Sequence, residues 1–147
     1  MAHNSVDYEE DFYAWTVEQA RLLRSGDFSA IDAANVAEEI ESMGRSDRRA
    51  IESRLTVLLM HLLKWQLQPA LRSPSWSRTI REQRRRIEKL LRESPSLRPF
   101  VSEALAEAYS DAREDAADET GLADTEFSAE CPFTAEEVLS RDFLPER

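Results

Sequence analysis

His61 and Lys64 are the two ionisable side chains in the run Leu55-Thr-Val-Leu-Leu-Met-His-Leu-Leu-Lys-Trp-Gln-Leu67. An imidazole can exchange a proton near neutral pH, and an ammonium can hold a carboxylate or a phosphate. Read as a helix, the run is apolar on nearly every side and belongs in an interior. Its two polar groups must then be partnered there or line a polar site. His61 lies about 100° from the middle of the Ile51, Leu55, Leu58, Leu62 stripe, on the side of Arg54 and Trp65. Its ordinary role is to donate to a carboxylate or a backbone carbonyl, with Lys64 snorkelling past Trp65 to water. Its functional role would be a ligand or partner site framed by Trp65 and Trp76. The ordinary role is the weightier reading.

Glu38-Glu39-Ile40-Glu41 is the second candidate block. With Ile40 inward, Glu38, Glu39 and Glu41 spread over the flanks, either bridged to Arg49, Arg84 or Arg86 or facing a ligand or partner. A metal site is not expected. A di-iron bundle needs Glu-x-x-His pairs, whereas Leu58 stands three positions before His61. The other histidine, His3, lies near the N-terminus. On a continuous helix, Glu38 and His61 are ~34 Å apart along the axis. Cys131 could serve as a nucleophile beside His61, but it reads first as a small apolar residue in a turn before Pro132. No catalytic residue, metal or cofactor is assigned.

Charge is segregated. Residues 1–44 carry 2 basic and 10 acidic side chains, residues 45–98 carry 14 and 5, and residues 99–147 carry 3 and 14. The basic middle offers Arg78, Arg81, Arg85, Lys89 and Arg92 as a nucleic-acid face. The net charge of −10 repels polyphosphate at long range and disfavours that partner. The expected alternative is internal neutralisation, with Arg72, Arg78 and Arg81 near Asp111, Glu114 and Asp118. Those acids stack as like-charge pairs near a helix C-terminus, where the dipole also disfavours them.

The elements that position these residues are all helical. Three glycines and few β-branched runs make an all-α chain, expected as one domain over 1–147 with a mobile 1–6. The spacing predicts a first helix over 8–24, capped by Asp7 and stopped at Gly26, with Phe12, Trp15, Ala20 or Gln19, Leu22 and Leu23 inward. Val36, Ile40, Met43, Ile51, Leu55, Leu58 and Leu62 keep one phase, with Asp47 the only gap. They predict a continuous helix over 33–66 despite Gly44, closed by Pro69. A third helix over 76–92 has Gln83 in its stripe and Glu82–Arg86 and Glu88–Arg92 on its wet side. A fourth covers 97–120, ending at Gly121. The tail, 122–147, is expected to wrap the bundle, with a capping box at Thr134-Ala-Glu-Glu137 opening a short helix over 135–140.

In order along the chain stand Tyr8…Asp11…Trp15…Gln19, Glu38-Glu39-Ile40-Glu41-Ser42-Met43-Gly44, His61-Leu62-Leu63-Lys64-Trp65, Trp76…Ile80…Gln83-Arg84, Ser94-Pro95-Ser96-Leu97 and Cys131-Pro132. Together these blocks resemble the bacterial family named domain of unknown function 29, over about Tyr8 to Pro145. The resemblance implies a small helical domain and brings no activity with it.

The reading of the residues is a compact all-α bundle of about four main helices, a long one central, acting as a non-catalytic interaction or regulatory module. The expected partner is a second copy or another protein, because an all-round apolar helix must be covered on every side. The runner-up is nucleic-acid binding through residues 78–92; an enzyme or ligand site at His61 comes third. The interrupted apolar run is too short for a membrane span of ~20 residues. A lone cysteine fits a reducing, cytoplasmic setting.

Overall fold

A computed structural model describes residues 6–146. Most of the expected mobile segment 1–6, and His3 with it, lies outside the described residues. The described chain is helical with no strand: α1 Phe12–Ser25, α2 Ala33–Leu67, α3 Pro74–Glu93, α4 Arg98–Thr120 and α5 Ala135–Leu139. It divides into two compact units, one ending at Ser46 and the other beginning at Asp47.

In the first unit, α1 begins at Phe12 rather than Tyr8. Asp11 is its cap, accepting the Ala14 N–H at 3.0 Å. Tyr8 sits in the preceding turn because its ring packs edge-on to Phe12 and Trp15 and its hydroxyl donates to Glu39. Asp7 closes only that turn, accepting from the Glu9 N–H. Gly26 ends α1 in the left-handed conformation at φ 77°, where a side chain would be strained. Trp15, Gln19 and Leu22 are buried, whereas Phe12 and Leu23 stay exposed. Asp32 opens α2 through Asn35, and accepts the Trp15 indole N–H at 3.1 Å. Those bonds hold its carboxyl below the usual range, Asn35 contributing most.

α2 runs unbroken through Gly44 for 35 residues. Its apolar stripe keeps phase, but burial does not follow phase. Every residue from Ile40 to Arg49 is exposed, Ile40 at 58% and Met43 at 63%, whereas Ile51, Leu55, Leu58 and Leu62 are at 0%.

In the second unit those four residues form one core with Ile80, Ile87 and Leu91 of α3, Val101, Ala104, Ala108, Tyr109, Ala112 and Ala116 of α4, and Phe127, Phe133 and Val138 of the tail. α3 is capped by Ser73, with Pro74 at its first position. α4 ends at Gly121, also left-handed. The Thr134–Glu137 capping box is formed, and α5 follows it. The tail is fastened by backbone carbonyls: Tyr109 donates to that of Ser128 at 2.6 Å and Arg113 to that of Asp124 at 3.0 Å.

Two side chains of α3 exchange the roles expected of them. Gln83 is only half buried and accepts from Arg54 at 3.2 Å. Arg84 takes the interior position, in phase with Ile80, Ile87 and Leu91. The Glu82–Arg86 pair is present at 3.0 Å. Glu88 pairs with Arg98 at 2.9 Å and not with Arg92, because the turn after α3 brings Arg98 within reach.

Candidate functional site

The two ionisable groups of the apolar run both have partners. His61 Nδ1 lies 2.8 Å from the Val57 carbonyl one turn back, so the neutral ring donates there. Burial lowers its pKa, and the nearby Lys64 charge adds to that; the Val57 carbonyl and Glu119 act the other way. Lys64 does not snorkel to water. It is 6% exposed, with Nζ 2.7 Å from Glu119 Oε1 and 4.6 Å from the centre of the Trp76 ring. Trp65 is covered on one face by Arg72, whose Nε donates to the Trp65 carbonyl at 2.7 Å.

The sign of the His61 effect follows from its lowered pKa. The folded state binds fewer protons than the unfolded one, so the stability it confers is complete above about pH 6.5 and is lost as pH falls through the folded value. Denaturant melts between neutral and mildly acidic pH should show this slope. His61→Asn, which retains a donor near the Nδ1 position, should lack it. An equal slope in both proteins would assign it to carboxylates.

Glu38, Glu39 and Glu41 belong to the first unit. Their partners are not Arg49, Arg84 or Arg86. Arg45, on the same helix face, binds Glu38 at 2.7 Å and approaches Glu41 at 3.8 Å. Glu39 accepts from Tyr8, and that bond, more than any other influence, pushes the Tyr8 phenol up to about 12.

The arginines of α3 supply the third grouping. Arg78, Arg81, Glu82, Arg84 and Arg85 line an open groove of about 570 Å³, with Arg141 on the other wall. The expected neutralisation by Asp111, Glu114 and Asp118 is absent. Among the described residues, none of Arg78, Arg81, Arg85, Lys89, Arg92 or Arg141 has an ion-pair partner; the contact that does reach the acidic end of α4 is Lys64–Glu119. Lys89 and Arg92 are exposed but do not line the groove. Arg84 forms its floor and is held by the tail, donating to the carbonyls of Val138 at 2.8 Å and Phe143 at 2.7 Å. Arg141 and the interior place of Arg84 were both missed from sequence. Arg84 was detectable: residues 80, 84, 87 and 91 repeat at helical spacing. Arg141 carried no local signal.

A second, shallower groove is lined by Ala50, Ser53, Arg54, Val57 and Gln83, and neither groove is lined by His61 or Lys64. Cys131 donates its thiol to the Phe133 carbonyl at 3.3 Å, and burial pushes its pKa up, the opposite of an activated nucleophile. No cluster of three or more metal-binding side chains occurs among the described residues, and no helix there is long and apolar enough to cross a membrane.

No curated protein and no solved structure matches the chain. Residues 8–144 match a family described as a domain of unknown function, DUF29, in agreement with the order of sequence blocks. With nearly its whole length matched, this chain belongs to the DUF29 family.

Proposed function

We propose that this chain is a non-catalytic protein-interaction module of the bacterial cytoplasm that pairs with a second copy of itself along α2. One observation carries the reading. The stripe that is sealed at Ile51, Leu55 and Leu58 stands bare at Ile40 and Met43, within ten consecutive exposed residues. A helix exposed on all sides gains nothing from its apolar positions until something covers them.

Two further features favour a copy of the same helix. The stretch is net acidic at one end (Glu38, Glu39, Glu41) and net basic at the other (Arg45, Arg48 and Arg49 against Asp47), with Arg45 meeting Glu38 and Glu41 within one copy and Arg48 lying over the Phe100 ring. Antiparallel pairing about a two-fold axis sets acid against base in both halves, whereas parallel pairing sets like against like. Between them is Gly44, around which a Cβ would meet nothing within 4 Å. Glycine there costs the helix about 1 kcal/mol relative to alanine, and it lets a second backbone approach closely. Supporting the non-catalytic reading, His61, Lys64 and Cys131 each have an internal partner, and burial pushes the Cys131 thiol up, away from the reactive thiolate.

Sedimentation equilibrium is the test. The wild-type chain should be dimeric, and Ile40→Glu with Met43→Glu should make it monomeric without lowering its thermal midpoint as a monomer. Gly44→Leu should raise helix stability while weakening the dimer. A wild-type monomer at high micromolar concentration would sink the proposal.

A second reading, nucleic-acid binding along Arg78, Arg81, Arg85, Lys89 and Arg92, is supported by their lack of carboxylate partners and opposed by the net charge of −10.

A further inference from the structure

The arginines of α3 are better described as a groove than as a stripe. A stripe suited to an extended nucleic-acid backbone would use Arg78, Arg81, Arg85, Lys89 and Arg92 in succession. The cavity omits the last two and adds Arg141, carried by the segment just after α5. Four guanidiniums with no ion-pair partner, Arg78, Arg81, Arg85 and Arg141, thus surround one space of about 570 Å³. That volume is of the size that holds a small molecule. The carboxylate on its wall, Glu82, is engaged by Arg86 at 3.0 Å. Asp142 acts on Arg84 from the tail.

Like charges held together repel one another, and none of Arg78, Arg81, Arg85 and Arg141 is ion-paired with the few carboxylates nearby. A bound anion relieves it directly. Guanidinium groups bind phosphate oxygens in pairs, through parallel N–H donors, so four of them match an anion with two or more adjacent phosphates. No aromatic side chain lines the groove, so no ring there would stack on a base. The arginines would grip the phosphates alone. The overall negative charge, which opposes a long polyanion, matters far less to a compact one seated among four cations within a Debye length of ~8–10 Å.

We infer that the groove between α3 and Arg141 binds a compact polyphosphate, either the di- or triphosphate of a nucleotide or a short inorganic polyphosphate. This is independent of the self-pairing along α2.

Calorimetric titration of the full chain with tripolyphosphate, ATP, AMP and a DNA duplex at low salt tests it. Tripolyphosphate and ATP should both bind, with AMP weaker than either by about tenfold for the lost phosphate contacts. If ATP and tripolyphosphate bind alike, the phosphates alone are recognised; if ATP is clearly tighter, the source is the nucleotide. Arg81→Gln with Arg141→Gln should weaken tripolyphosphate binding by about tenfold or more. Both side chains are exposed, so folding is preserved. The charge-matched control, Lys89→Gln with Arg92→Gln, should change it less than about twofold. Equal loss in both variants, no heat with tripolyphosphate, or DNA binding that depends on Lys89 and Arg92 would each overturn the inference.

Discussion

Replacing Arg84 with methionine will destabilise the second unit by about 4 kcal/mol, the cost of two or more charge-assisted hydrogen bonds plus carbonyls left dry. Arg84 is 4% exposed and spans three carbonyls of the tail: Val138 at 2.8 Å, Phe143 at 2.7 Å and Glu137 at 3.5 Å. Burial alone disfavours its charge and lowers its pKa, so it remains there because the tail supplies oxygens. Methionine preserves the aliphatic stem and the packing against Ile80 and Ile87, so the loss isolates the guanidinium. Lysine should not restore it, since one ammonium cannot span acceptors spread over the tail. Urea melts measure the global change. Amide exchange over 135–143 distinguishes a detached tail from a weakened core. A loss below about 1 kcal/mol would mean that burial of Phe133 and Val138 holds the tail unaided.

Leu58→Ala will cost about 3 kcal/mol, whereas Ile40→Ala on the same helical stripe will change the monomer by less than about 0.5 kcal/mol. Leu58 is fully buried in the core that also holds Leu62, Ile87 and the alanine face of α4, so truncating it leaves a cavity. Ile40 is 58% exposed, and truncating it opens no void. Chemical denaturation at the lowest measurable concentration, where the proposed pairing is dissociated, compares the two directly. A comparable loss at Ile40 would show that its side chain is covered within the monomer. At higher concentration, the proposed pairing predicts that Ile40→Ala begins to cost stability, because that side chain would then be covered.

The two stripe positions show how far periodicity reaches. Spacing is a local property, and it established the all-α class, the passage of α2 through Gly44, the Gly26 and Gly121 terminators and the Thr134–Glu137 capping box. Each depends on neighbours within a turn or two. Ile40 and Leu58 have equal standing in the pattern, and only the presence or absence of surrounding helices separates them.

The candidate residues divide in the same way. That His61 and Lys64 needed internal partners was legible from an apolar helix. That the partners are the Val57 carbonyl and Glu119 was legible for the first, one turn away, and not for the second, 55 residues distant. The acidic end of α4 did require a basic neighbour, but one buried lysine meets it while the arginines of α3 turn elsewhere. Charge segregation in sequence states how much charge must be accommodated and leaves its pairing open, because pairing depends on side chains meeting within about 4 Å. The sequence by itself determined the helices, most of their ends and the family. Tertiary structure alone decided that Arg84 ties down the tail, that Arg141 joins Arg78, Arg81 and Arg85 around one groove, and that Ile40 and Met43 stand uncovered. The reason is common to all three: each depends on which distant segments meet, and distance along the chain carries no record of that.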